Sequence, residues 1–161
     1  MNEAVEEFRD AAQAYCALVE GVDELDPDAA RDDLLEKLAT LYRAGRRLPA
    51  VEPDTEEPVS RRTADDELRQ IHSRLAPVFG DKDFYRLVDP YPASRKDRAE
   101  MGSSVAGDLS EIWQDVKDGL LGLEAGVSEA DVVWEWRFGL EHHWGVHAVD
   151  AMAALHKLRF A

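Results

Sequence analysis

Residues 128–160, SEADVVWEWRFGLEHHWGVHAVDAMAALHKLRF, constrain the fold more than any other stretch of the chain. From Val133 the apolar positions step through Trp136, Leu140, Trp144, His147, Ala151, Leu155 and Leu158. Each step is three or four residues, which lines these side chains along one helical stripe, whereas a strand would alternate with a period of two. The pattern predicts one continuous helix over residues 128–160, acting as the central element of a bundle. His147 is the single titratable member of that apolar stripe. It therefore asks for a hydrogen-bonding partner across a helix–helix contact.

The same period recurs upstream. Val5, Phe8, Ala12, Tyr15 and Val19 predict a first helix over about residues 2–22. Asp26-Pro27 supplies a cap and a first-turn proline for a second helix, which carries Leu34, Leu35, Leu38, Leu41, Tyr42 and Leu48 and stops at Pro49. A third begins near Thr63 and is disturbed by Pro77. A fourth runs over about residues 103–122 on Val105, Leu109, Ile112, Val116 and Leu120. Residues 49–62 and 81–102 lack periodicity and read as loops. Within the second, FYRLV at 84–88 is compatible with a strand, but no partner strand is evident, so it is expected to be an aromatic plug at one end of the bundle. The fold class is all-α, a single-domain bundle of about five principal helices.

Three function classes recede on charge and composition. With 34 acidic and 19 basic residues the net charge is −15, which repels nucleic-acid phosphates and anionic membranes. A cationic partner or a divalent metal remains attractive to such a field. No window carries the roughly 18 apolar residues of a membrane span, and the acidic start MNEAVEEFRD is unlike a secretory leader, so cytoplasmic residence is expected. Cys16 is the single cysteine, which excludes an internal disulfide and a cysteine cage for zinc, and it is expected to be packed in the core.

AYCALVE (14–20), LLEKLATLYRAGRRLP (34–49), LSEIWQDVKDGL (109–120) and EHHWGVHAVDAMAALH (141–156) together resemble one bacterial family, catalogued as a domain of unknown function. The I-W-Q-D-V-K-D and H-W-G-V-H runs are the most specific parts. The resemblance implies an autonomous helical protein and carries no activity with it.

Four groups of residues could bear chemistry. His143, His147 and Asp150, spaced four and three apart, put two imidazoles and a carboxylate along one side of a helix, a candidate set of ligands for a divalent metal. Asp108, Glu111 and Asp115 of the fourth helix could complete or support that set if the two helices pack together. The run is similar to the His-x3-His pairs of small four-helix metal bundles, which take a further histidine from an earlier helix; here that would be His72. Asp108, Glu111, Asp115 and Asp118 also form an acidic ridge, which reads either as a solvated flank or as the magnesium-holding carboxylates of a helical nucleotide pyrophosphohydrolase, with Glu7 and Asp10 as the facing pair. Trp134 and Phe138 lie off the main stripe and are the candidate partner-binding residues. Arg95, Lys96 and Arg98 form a small basic spot.

No glycine-rich phosphate loop or activated nucleophile accompanies these groups. The sequence therefore favours a non-catalytic protein-interaction or self-association module, with no cofactor expected. A divalent-metal-binding bundle, possessing hydrolase activity in its strongest form, is the alternative.

Overall fold

The computed structural model describes residues 2–56, 61–91 and 100–160. Among them are six helices: α1 (Glu3–Glu20), α2 (Pro27–Gly45), α3 (Asp65–Phe79), α4 (Val105–Glu124), α5 (Glu129–His142) and α6 (Trp144–Phe160). Their starts follow the capping chemistry in the sequence. Asn2 accepts from Ala4 N, Asp26 from Asp28 N and Ala29 N ahead of Pro27, and Ser128 from Asp131 N. Pro77 lies inside α3 without ending it; the helix continues to Phe79, and Gly80, at φ 57°, turns the chain out.

The centre of the bundle is α4, not the C-terminal stretch. It packs against α1, α3, α5 and α6, while α2 covers α1 and α6. Val105, Leu109, Ile112, Val116 and Leu120 are buried along it, as the period requires. The hydroxyl of the fully buried Tyr15 on α1 donates to the Leu109 carbonyl at 2.8 Å, tying the two helices together at depth. Cys16 beside it is 2% exposed, and burial pushes its thiol up to about 12, so it packs as a small apolar group.

Two further expectations need correction. The first is the continuity of residues 128–160. The helix breaks at His143, whose backbone has φ −144° and ψ −87°. Its N–H closes α5 on the Gly139 carbonyl at 2.8 Å, and its own carbonyl accepts from Val146 N and His147 N to open α6. Gly145 makes this turn sterically feasible, since a Cβ there would lie 1.9 Å from the Leu140 carbonyl oxygen. The break drives Trp144 into the core, where its indole N–H donates to the Trp136 carbonyl at 2.8 Å and its ring lies 5.9 Å from that of Phe8. Most of the stripe survives: Val133, Trp136, Trp144, Ala151 and Leu155 are all buried.

The second correction concerns FYRLV, which is a strand and not a plug. β1 (Phe84–Val88) pairs antiparallel with β2 (Glu100–Ser104), in a register joining Phe84 to Ser104 and Val88 to Glu100. The hairpin leads directly into α4. Asp83 fixes the junction, accepting from Ala106 N at 2.7 Å and from the Ser104 hydroxyl at 2.7 Å. Phe84 lies over Gly102, filling the space of the missing side chain. The basic spot of Arg95, Lys96 and Arg98 lies outside the described residues.

Candidate functional site

The acidic ridge of α4 does not face open solvent. It forms the polar half of a seam against the junction of α5 and α6 and against the chain on either side of α3. Asp108, at the hairpin end, is 3% exposed. A carboxylate so placed must be neutralised or fully hydrogen-bonded, and Asp108 accepts from three donors. Nδ1 of His147 lies 2.9 Å from it, the Ser103 hydroxyl donates at 3.1 Å, and the Tyr85 hydroxyl donates to its second oxygen. Each donor comes from a different element, so Asp108 pins the hairpin and α6 to the start of α4.

Four residues before His147, at the α5–α6 break, the pattern repeats with a later carboxylate of α4. Nδ1 of His143 lies 2.5 Å from Asp115, whose other oxygen is 3.5 Å from the Arg61 guanidinium. Asp118 accepts from the backbone N–H groups of Arg62 and Thr63 at 3.0 and 2.7 Å, capping the approach to α3. Glu111, between Asp108 and Asp115, is partly exposed, with its carboxylate 4.0 Å from Nε2 of His143. The two imidazoles sit 5.0 Å apart, edge to face. Because α4 and α6 run in opposite directions, Asp108 meets His147 while Asp115 meets His143.

The electrostatics follow from this packing. The hydrogen bond to Asp108 raises the pKa of His147 above its ordinary value, against the opposing effect of burial. From the sequence, the place of His147 among Trp144, Leu140 and Ala151 in the apolar stripe predicts burial, and with it a neutral imidazole. The structure instead leaves its side chain 30% exposed and biased towards the charged form. The hydroxyl of Tyr85 is held well above its usual range by burial and by its bond to Asp108. Burial and the nearby Asp108 likewise raise Asp150, with His147 pulling the other way. On α5, burial pushes Glu135 up to about 7 despite the Arg62 cation, with Asp118, Asp131 and Asp115 adding to the rise.

His143, His147, Asp108, Glu111 and Asp115 are thus brought to one seam, and Asp150 flanks its hairpin end. No group of three His, Cys, Asp or Glu side chains among the described residues is gathered closely enough to hold a metal ion as it stands. His72 stays exposed on α3, and His142 and His156 are exposed as well. The facing acidic pair required by the pyrophosphohydrolase reading is not presented to the ridge: Glu7 pairs with Arg43 at 3.0 Å and with Arg47, and Asp10 is exposed. Sequence reasoning missed Tyr85, Ser103, Arg61, Arg62 and Glu135. Tyr85, Arg61 and Arg62 belong to stretches without periodicity, Ser103 stands where the sequence pattern starts the fourth helix but the structure has β2, and Glu135 carried no signal beyond its charge.

Trp134 and Phe138 lie on the far side of α5, 38% and 50% exposed. Their rings stack at 5.1 Å with only 13° between planes, and His142 extends the row at 4.6 Å from Phe138. The opposite face of the same helix is buried through Val132, Val133, Trp136 and Gly139.

Fold and seam together define a helical bundle whose central helix carries a partly buried carboxylate–histidine ladder. The chain belongs to the family described as Domain of unknown function (DUF5063), whose model matches residues 1–161. Its fold is similar to that of the crystal structure of protein BF1032 from Bacteroides fragilis, with a TM-score of 0.85 at 23% identity over 99% of this chain and 94% of that one. No curated protein sequence matches the chain. No helix among the described residues is long and apolar enough to cross a membrane.

Proposed function

We propose that the chain is a non-catalytic cytoplasmic binding module that docks a basic protein segment on the outer face of α5. The observation that carries this reading is the stacked, exposed pair Trp134–Phe138 on a helix whose inner face is already satisfied by the core. Aromatic side chains held by stacking on a rigid helix lose little freedom on binding and contribute heavily to interface energy. The flanks select the partner's charge. Glu141 is exposed three residues beyond Phe138, in a pair with Arg137 at 3.3 Å, and the whole chain, with its 34 carboxylates, carries −15. Lysine or arginine side chains gain both from these carboxylates and from the indole face. A second copy is disfavoured, because two chains of −15 repel.

The test uses a labelled amphipathic helical peptide bearing lysine, arginine and leucine, titrated into the full chain, with sedimentation run in parallel. Binding should quench tryptophan emission and weaken about tenfold in Trp134→Ala/Phe138→Ala, a loss of about 1.4 kcal/mol. Equal affinity in wild type and double variant would reduce the interaction to net charge and overturn the docking face. A concentration-dependent dimer abolished by the same substitutions would reassign the face to a second copy.

A further inference from the structure

Helix α6 is apolar on two opposite sides. Its inner side is taken up by the core through Trp144, Ala148, Ala151 and Leu155, all buried. The outer side of such a bundle helix should then be polar. Instead Val146, Val149, Ala153, His156 and Phe160 follow one another in steps of three, four, three and four, a second stripe along the length of the helix. All are exposed, Val146 by 54%, Val149 by 47% and Phe160 by 68%. Alternating steps of three and four are the spacing by which one helix meets another, here along a seam of about 21 Å. The charges beside the stripe are ordered as well. Asp150 flanks its first half, and Lys157 with Arg159 its second. Among the described helices, α6 alone holds more bases than acids, Lys157 and Arg159 against Asp150.

We propose that the outer stripe of α6 is a self-association surface, on which α6 of a second copy lies antiparallel across a twofold axis at Ala153. This arrangement matches the stripe to itself. Val146 of each copy falls opposite Phe160 of the other, Asp150 falls beside His156 and Lys157 of the other, and the small Ala153 lets the helices approach where they cross. A parallel pair would instead set Asp150 against Asp150 and Lys157 against Lys157. Other occupants fit less well. A basic segment would meet Lys157 and Arg159, and a net charge of −15 repels an anionic membrane. The repulsion that disfavours a second copy on α5 is weakest here, because α6 adds nothing to it and salt screens the rest of the chain beyond about 8 Å. One helix stripe buries less than a standard interface of about 1,600 Å2, so the dimer is weak, with a Kd of about 10–100 μM. This surface lies on a different helix from Trp134 and Phe138 and does not depend on them.

The experiment is sedimentation of the untagged full chain in about 0.15 M salt, over about 1 to 500 μM protein. Wild type should pass from monomer to dimer across that range. Val149→Glu and Ala153→Glu, both at exposed positions, should each weaken the dimer at least tenfold by burying an unpaired charge, while Trp134→Ala/Phe138→Ala leaves it unchanged. Asp150→Lys and Lys157→Asp should each associate poorly alone. An equimolar mixture of the two should recover a dimer, since each pair across the helices is then opposite in sign. The direction of pairing is read with an added cysteine, because Cys16 is buried and does not compete. Under a mild oxidant Ala153→Cys should cross-link to itself, and Val146→Cys should cross-link to Phe160→Cys but not to itself. A monomer at every concentration, or a dimer that survives both Val149→Glu and Ala153→Glu, overturns the surface. Loss only in Trp134→Ala/Phe138→Ala moves the contact to α5 and overturns it equally. Self-cross-linking of Val146→Cys, or a mixture that associates no better than its parts, overturns the antiparallel pairing.

Discussion

Asp108 and His147, 39 residues apart in the chain, meet at 2.9 Å across the α4–α6 contact, with the carboxylate 3% exposed and the imidazole reaching solvent. The pair is asymmetric. His147 could hydrate if released, whereas Asp108 would be left in the interior with its negative charge and only the hydroxyls of Tyr85 and Ser103. Stability at this contact is therefore governed by the acid.

Asp108→Asn is expected to destabilise the fold by about 2–3 kcal/mol, because the new amide presents donors to a site built from donors. Glu111→Gln, one turn further along the same ridge and partly in water, should stay within about 0.5 kcal/mol. Urea unfolding of the two variants compares them directly. Equal, small losses would return the whole ridge to the solvated flank that its spacing also suggests.

Glu135 should make the fold less stable as pH rises. Burial pushes its carboxyl up to about 7 from an ordinary 4.5, so between those values the folded chain holds a proton that the unfolded chain has released. Unfolding then takes the proton off, and stability falls across that window as pH increases. The side chain is only partly buried, and the screening by water limits the effect to about 1–2 kcal/mol. Glu135→Gln removes the titration. It should melt higher than wild type at pH 8 and by a shrinking margin towards pH 5. A margin that stays constant with pH would place the cause elsewhere.

The helices were legible because a period of 3.6 is a local property, and so were most of their caps. The seam was legible only as two half-lists, His143 and His147 on one segment and the Asp108–Asp118 ridge on another. Joining them required the packing order, which no spacing within one helix encodes. The donors that complete the seam were less visible still, since Arg61, Arg62 and Tyr85 lie in segments held by tertiary contacts. β2 was missed for a compositional reason. EMGSS has neither alternation nor β-branched residues, and its central glycine is made tolerable by Phe84 across the strand pair. The break at His143 was hidden by a stripe that runs straight through it. Gly139 and Gly145, on either side of Trp144, were the available signal.

Gly119→Ala should destabilise by about 1–2 kcal/mol, although alanine gains about 1 kcal/mol in helix propensity. A Cβ at Gly119 would lie 2.1 Å from Nε1 of Trp136, a side chain 1% exposed whose N–H donates to the Val116 carbonyl at 3.2 Å. The indole cannot yield without giving up both its packing and that bond. Gly122→Ala is the control on the same helix. There the nearest atoms are the Arg62 guanidinium at 3.1 Å and Cγ2 of Val132 at 3.2 Å, which need give way by only a few tenths of an ångström, so propensity and crowding should offset to within about 0.5 kcal/mol. Thermal melts that rank the two variants in the reverse order would contradict the α4–α5 packing.

His147→Ala and His143→Ala differ in what they leave behind, and that difference is the last expectation. Removing His147 strands Asp108, whose side chain is 4% exposed, without its only nitrogen donor among the described residues; the cost should be about 2 kcal/mol. Removing His143 leaves Asp115, 17% exposed, still 3.5 Å from Arg61 and open to water, and should cost under about 1 kcal/mol. Denaturation in the presence of a chelator keeps any bound ion out of the comparison. Equal losses would mean that depth along the ridge does not set the strength of these pairs. A wild-type melt for His147→Ala would mean that the Tyr85 and Ser103 hydroxyls suffice to hold the buried carboxylate.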